Sequence, residues 1–183
     1  MGNPLRDRRT PQELAASGQV IEITEKISEF KELDRIVGAD LETLDPDMMP
    51  PDWCDADVVG QLRFGFVDAQ DRIPALEGEV STAIDAVCQR CLGPMKLPVA
   101  VDLRYLFAGA GQEAADDGFE VWEMGEERLR PMDLVEEVLI MAMPLAALHE
   151  SDAACAKTKS PEETTGKTTR PFADLRSQME NDN

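Results

Sequence analysis

The sequence predicts an α+β fold in which an antiparallel β-meander packs against a C-terminal helix, between flexible termini. Three consecutive segments alternate apolar and polar residues, which is the pattern of strands buried on one face. The connections between these segments are short, as in an antiparallel sheet with one face in water. A strongly amphipathic segment follows and supplies the helix that we expect to cover the apolar face.

The alternating segments define the sheet of an α+β core that we assign to residues 58–150. Charged residues such as Glu79, Asp85 and Asp102 occupy the polar positions and are expected to face solvent. The apolar positions, expected to share the buried face, are Gly60, Leu62, Phe64 and Phe66 in the first segment, Leu76, Val80, Ile84, Ala86 and Cys88 in the second, and Leu97, Val99, Val101, Leu103, Tyr105 and Phe107 in the third.

Residues 1–57 are predicted to form an N-terminal extension with a short helix and an acidic, proline-rich loop. Thr10 followed by Pro11 indicates a helix start, with Thr10 as the N-cap and Pro11 at the first helical position. Residues 19–23 alternate apolar and polar side chains and predict a short strand. Residues 45–52 are rich in Asp and Pro and have the composition of a loop.

A further helix of this extension is predicted over residues 28–37. Ser28 is its expected N-cap, and Gly38 is expected just beyond its C-terminus. The apolar residues that recur at helical spacing are Phe30, Leu33, Ile36 and Val37.

The C-terminal helix is predicted over residues 132–143. Asp133 lies in its first turn, where a negative charge suits the helix dipole. Pro144 ends the helix because proline cannot continue it. The stripe expected to pack on the sheet consists of Leu134, Val135, Val138, Leu139 and Ala142.

The chain on either side of this helix is less regular. Residues 108–118 predict a loop, and residues 119–122 predict a short strand or an apolar anchor. Residues 151–183 are polar and predict a mobile tail without fixed structure. Within that tail the apolar residues 171–175 are expected to dock, either on the core or on a partner, and a patch without a role is the remaining alternative.

The charge of the chain restricts its partners. Lys and Arg number 18 against 37 Asp and Glu, which gives a formal net charge of −19. Nucleic acids are polyanions, so this balance excludes a broad DNA- or RNA-binding face and favours a basic protein partner. The simpler interpretation is that the surplus acid keeps the chain in solution.

Membrane insertion and export are not expected. The longest apolar run lies near residues 138–148, is interrupted by Pro144 and is shorter than the roughly 20 residues that a bilayer requires. Residues 1–10 carry basic side chains but no apolar stretch follows them, so they do not have the pattern of a secretory signal.

Four cysteines occur, at positions 54, 88, 91 and 155. In a chain of this length without a secretory signal, they are not expected to form a secreted disulfide framework. Cys88 and Cys91 form a CxxC pair in a turn between two predicted strands, where both sulfurs can bind one metal ion. Buried inert thiols and redox catalysis are the alternatives. A redox pair usually begins a helix, and here a strand follows. Cys54 follows Trp53, and we expect it to be a buried free thiol.

A tetrahedral zinc site needs four ligands, and two more candidates lie just beyond the predicted helix stop. His149 is the only histidine of the chain, and Cys155 follows six residues later. We expect Cys88, Cys91, His149 and Cys155 to hold one structural Zn²⁺ in a closed site. A metal-free fold with reduced thiols is the main alternative. No nucleophile motif or phosphate-binding loop indicates catalysis.

The order of these features resembles the YceD family of large ribosomal RNA subunit accumulation proteins. The resemblance covers roughly residues 58–176. The matching segments are Cys88-Gln89-Arg90-Cys91-Leu92 between two alternating strands, the helix Asp133–Ile140, then Met143-Pro144-Leu145, His149, Cys155 and the closing segment Arg170–Leu175.

The resemblance implies a non-catalytic, cytoplasmic ribosome-biogenesis factor needed for synthesis, processing or stability of 23S rRNA. For so acidic a chain, ribosomal or rRNA-processing proteins are the expected partners, with indirect association to rRNA and no binding to DNA or membranes. Two alternatives stay open. One is a thiol oxidoreductase that uses Cys88 and Cys91, and the other is a zinc-stapled interaction module unrelated to ribosomes.

Overall fold

A computed structural model describes residues 3–67, 73–107, 118–123 and 127–158. Residues 108–117 of the expected loop and the apolar residues 171–175 lie outside these ranges. The helices are α1 Pro11–Ser17, α2 Lys31–Leu41, α3 Pro131–Ala142 and α4 Asp152–Thr158, and the strands are β1 Val20–Lys26, β2 Asp57–Phe66, β3 Pro74–Val87, β4 Pro94–Leu106 and β5 Glu120–Val121.

The strands form one five-stranded sheet in the order β1-β2-β3-β4-β5. The first four strands pair with their sequence neighbours in antiparallel fashion, so the α+β class and the meander are confirmed. The short strand β5 is added in parallel to β4, with Tyr105 opposite Glu120. Among the described strands, this parallel pair is the one departure from a purely antiparallel sheet.

Nearly all the apolar positions of the alternating segments face the core as expected, whereas Phe66 at the end of β2 is half-buried and lies outside the core cluster. Leu62, Leu76, Ile84 and Leu103 are each 0% exposed. They form one cluster with Leu134, Val135, Val138 and Leu139 of the predicted α3 stripe and with apolar residues of α1 and α2. The expectation for Ala142 is wrong, because this residue ends α3 and is exposed. Each such side chain contributes roughly 1.5–3 kcal/mol when fully buried. Residues on both sides of position 57 therefore share a single core.

Asp85 is the exception among the polar positions of the sheet. It was expected to face solvent, but it is buried at 4% exposure. Lys96, opposite it on β4, places its ammonium 2.6 Å from the Asp85 carboxylate. The expectation is wrong because the long lysine side chain pairs with the carboxylate and covers it.

Helix α1 begins as its sequence predicts. The Thr10 hydroxyl accepts the backbone N–H of Glu13 at 3.1 Å, and the Glu13 carboxylate accepts the N–H of Thr10 at 2.9 Å. This reciprocal capping box satisfies two donors that the helix itself leaves unpaired. The strand that follows, β1, is longer than the predicted residues 19–23 and pairs with β2 along its whole length.

Helix α2 begins and ends later than predicted. Ser28 lies in a short 3₁₀ turn before it, and Gly38 lies inside the helix. A Cβ atom at Gly38 would stand 3.2 Å from the Trp53 ring. The proposed Ser28 N-cap and the Gly38 helix end are therefore wrong, because glycine serves close packing against Trp53.

The start of α2 is capped from a distant part of the chain. The Glu136 carboxylate, on α3, accepts the backbone N–H groups of Glu32 and Leu33 at 2.6 and 3.1 Å. A carboxylate at this position also suits the positive end of the helix dipole. Glu136 thereby fixes the position of α2 relative to α3.

Helix α3 lies close to its predicted bounds, and the backbone N–H of Met132 donates to the carbonyl of Leu5 at 2.9 Å. Helix α4 opens the segment that was expected to lack fixed structure from residue 151 onward. None of the helices in the described ranges is long and apolar enough to cross a membrane.

Candidate metal centre

The tight turn between β3 and β4 positions the CxxC pair. The Cys88 N–H donates to the Gly93 carbonyl at 2.9 Å, and the Leu92 N–H donates to the Cys88 carbonyl at 2.8 Å. Leu92 adopts a left-handed conformation with φ 57°, which is uncommon for a residue with a side chain. The turn thus brings Cys88 and Cys91 to the same end of the hairpin.

The loop after α3 is tied to this turn. The Gln89 N–H donates to the Ala147 carbonyl at 2.9 Å. The Arg90 guanidinium donates to the His149 carbonyl at 2.7 Å and forms an ion pair with Asp152. The two residues between the cysteines therefore hold the backbone that carries His149.

Helix α4 supplies the remaining cysteine from its first turn. The N–H groups of Ala154 and Cys155 both donate to the Ser151 carbonyl, at 3.2 and 3.3 Å. Cys155 is buried beside Cys88, with 3.9 Å between their sulfurs. Three separate pieces of chain thus converge on one point.

The four predicted ligands come together. Their ligand atoms all lie within 4.8 Å of one another. The Nδ1 atom of His149 is 3.5 Å from the sulfurs of both Cys91 and Cys155. In tetrahedral zinc, ligand bonds of about 2.0–2.3 Å place two sulfurs about 3.8 Å apart and a sulfur and a nitrogen about 3.5 Å apart. The residues present therefore fit a Cys₃His zinc site.

The electrostatics of the site favour a thiolate at Cys88. Burial alone raises the pKa of the Cys88 thiol, since it disfavours the charged form. Hydrogen bonds from the backbone of Cys91, His149 and Arg90, with a further one from the His149 side chain, outweigh burial and lower the pKa from 9.0 to about 5. Thiolate is the form of cysteine that binds metal ions and acts as a nucleophile.

Cys155 differs from Cys88 in this respect. Burial raises the pKa of its thiol, and its hydrogen bonds with Cys91 and Cys88 raise the pKa further. The pKa shifts of these two neighbouring thiols therefore run in opposite directions. A cation placed among them would favour the deprotonated form of both.

Cys54 lies apart from the metal centre. It is a half-buried free thiol in the 3₁₀ turn Trp53–Asp55 and is absent from the ligand cluster of the described residues. It is thus free, as expected, though less buried than expected.

Two supporting residues were not singled out by the sequence. Arg90 bridges to the loop and to α4, as described above. Asp40 of α2 accepts the backbone N–H of Val87 at 2.9 Å and holds the end of β3 just before Cys88. Arg90 could have been predicted to support the site because it lies inside the CxxC motif. No sequence pattern near Asp40 indicates its role.

Comparison with known proteins finds similarity to a protein family. A family model described as "Large ribosomal RNA subunit accumulation protein YceD" matches residues 76–179, a span that includes all four cluster residues. The large ribosomal RNA subunit accumulation protein YceD of Haemophilus influenzae is 32% identical over 96 residues, which are 50% of this chain and 55% of that protein. The chain thus spans about half the length of this curated relative. No solved structure matches.

Proposed function

The chain belongs to the YceD family, and on that basis we propose that it is a ribosome-biogenesis factor needed for synthesis, processing or stability of 23S rRNA. The observation that carries the proposal is the family match, which covers more than half of the chain and includes the whole ligand cluster. The chain acts without catalysing a reaction, in the cytoplasm where ribosomes assemble.

The partners in this proposal are basic ribosomal or rRNA-processing proteins. A net charge of −19 attracts such proteins and repels the phosphate backbone of RNA. The chain associates with rRNA through these proteins and does not read bases directly. Dissolved salt screens the attraction between exposed charges. Recovery of the partner proteins should therefore fall as ionic strength rises.

The proposal includes one structural zinc ion held by Cys88, Cys91, His149 and Cys155. The sulfur and nitrogen separations in the cluster support this ligand set. Four protein ligands leave no open position for water or substrate, so the site is structural. Its role is to hold the loop after α3 and helix α4 against the β3–β4 turn, which adds the free energy of metal binding to that of folding.

A thiol oxidoreductase is the second candidate, favoured by the low pKa of Cys88. Two observations weigh against it. The pair lies in a hairpin turn, away from a helix start, and Cys88 is 0% exposed, which closes it to a substrate disulfide. Turnover in a disulfide-reduction assay that is lost in Cys88→Ser would establish this candidate instead.

The experiment that tests the proposed function compares ribosomal RNA in strains with and without this chain. The strain without it should contain less 23S rRNA or more of its precursors, and the full-length gene should restore the normal profile. A normal rRNA profile in the strain without the chain would contradict the proposal. Affinity purification that recovers no ribosomal or rRNA-processing protein would favour an interaction module unrelated to ribosomes.

A further inference from the structure

Among the described residues, the centre of the sheet face opposite the core is exposed across β1 to β4. The register places three rows of residues side by side at its centre, each row crossing all four strands. Glu22, Gln61, Glu79 and Asp102 form the first row, Ile23, Gly60, Val80 and Val101 the second, and Thr24, Val59, Ser81 and Ala100 the third. Most side chains of the first and third rows are exposed, including Val59 at 44%.

These three rows line a shallow groove of about 530 Å³. The side chains of the middle row point to the core, so the floor of the groove is backbone. The first row forms a polar wall, and the third row forms a wall of small side chains, of which two are apolar and two carry hydroxyl groups. Four strands spaced about 4.8 Å apart give the groove a length of roughly 14 Å, enough for about four residues of extended chain.

The polar wall carries an unbalanced negative charge. Glu79 and Asp102 lie directly opposite each other on β3 and β4, and like charges in that position destabilise a sheet. Within the described residues, neither of these two carboxylates forms an ion pair with a lysine or arginine. Glu22 adds a third carboxylate, which accepts a hydrogen bond from the neutral Gln61 amide at 2.5 Å.

The other carboxylates of the same face are paired. Lys26 lies 2.6 Å from Asp57, Lys96 lies 2.6 Å from Asp85, and Arg104 lies 4.0 Å from Glu77. Arg63, on the same face of β2, donates to the Gln61 side-chain oxygen at 3.3 Å and brings one cation to the polar wall. Three carboxylates against this one guanidinium still leave the excess negative charge of the face at the groove. A cation seated in the groove would relieve the repulsion between Glu79 and Asp102.

We propose that this groove binds an extended, arginine- or lysine-rich segment of a protein partner. The cationic side chains contact Glu22, Glu79 and Asp102, and the intervening residues lie against Val59 and Ala100. The inference rests on the proposed function in one respect, since ribosome assembly is what brings the chain together with basic proteins. Nucleic acid does not fit, because its phosphates would face three carboxylates.

The test measures binding of a defined peptide to the full chain. The probe is a fluorescein-labelled peptide of about eight residues with alternating Arg and Thr, and fluorescence anisotropy reports its Kd. The variant Glu79→Gln/Asp102→Asn should bind it about five- to tenfold more weakly, as expected for the loss of two exposed charge contacts. Its melting temperature should equal or exceed that of the parent, because like-charge repulsion is removed.

The matched control is Glu42→Gln/Asp47→Asn, which removes the same charge from exposed positions that do not line the groove. It should change the Kd by less than about twofold. Equal weakening in both variants, or no weakening in the groove variant, would overturn the inference. Calorimetry would also overturn the inference if the parent chain binds Ca²⁺ and the groove variant does not. The carboxylates of the first row would then form a metal site.

The outcome is separable from that of the proposed function. A strain without the chain that has normal 23S rRNA removes the proposed function, whereas the peptide titration stands on its own measurement. If the groove variant and its control bind the peptide with the same Kd, the groove is not a docking surface. That result would not change the expected rRNA phenotype.

Discussion

The backbone N–H of Gln89 donates to the carbonyl of Ala147 at 2.9 Å, which joins the β3–β4 turn to the loop after α3. Nearby, Arg90 contacts both that loop and Asp152 of α4. The three pieces of chain that carry the cluster are thus already held by hydrogen bonds that involve no ligand atom. This arrangement lets the roles of the supporting residues be tested separately from those of the ligands.

Arg90→Gln should lower the affinity for zinc by about tenfold or more, because residues that orient ligands typically contribute that much. The change removes the bond to the His149 carbonyl and the ion pair with Asp152. Competition with a chromogenic chelator measures the affinity. Lys31→Gln changes an exposed lysine at the first position of α2, outside the ligand cluster, so it is the charge-matched control and should leave the affinity unchanged. Equal affinities in both variants would show that Arg90 has no orienting role.

Glu136→Gln should destabilise the fold by about 1 kcal/mol, since it weakens the charged cap on the first turn of α2. Urea unfolding followed by circular dichroism measures the change. Its neighbour Glu137 is exposed on the same helix, so Glu137→Gln is the control and should shift stability by less than about 0.5 kcal/mol. A larger loss in the control than in Glu136→Gln would contradict the capping role.

The same residue explains why the bounds of α2 could not be predicted. Local sequence offered Ser28 as the cap, but the capping carboxylate comes from Glu136, 104 residues after Glu32. Gly38 likewise has the sequence pattern of a helix end, and its actual role depends on the packing of Trp53 against it. Period-2 alternation identified the three long strands and the apolar stripe identified α3, because those patterns depend on one buried face and not on particular partners.

In the candidate site, too, some features follow from local sequence and others depend on distant contacts. The spacing of Cys88 and Cys91 in a turn, with His149 and Cys155 after a helix stop, was enough to propose four ligands that the fold does bring together. The left-handed Leu92 and the support from Asp40 depend on tertiary packing. No local pattern specifies them.

Gly60→Ala should destabilise the fold by at least about 2 kcal/mol, because the added Cβ would lie 2.2 Å from the Glu79 carbonyl oxygen and 2.8 Å from the Val80 Cα. Backbone atoms of a neighbouring strand cannot move aside as a flexible side chain can. Gly65→Ala on the same strand meets nothing within 4 Å and is the control. Thermal unfolding of both variants measures the difference. A Gly60→Ala variant as stable as Gly65→Ala would show that β2 and β3 lie farther apart than described.

The central claim is that Cys88, Cys91, His149 and Cys155 hold one structural zinc ion, and elemental analysis of protein purified without added metal tests it most directly. The account predicts about one zinc per chain, lost in Cys88→Ser and retained in Cys54→Ser, because Cys54 lies outside the cluster. Zinc-free protein that is folded and melts at the same temperature with and without added Zn²⁺ would contradict the claim, as would equal zinc content in the two variants.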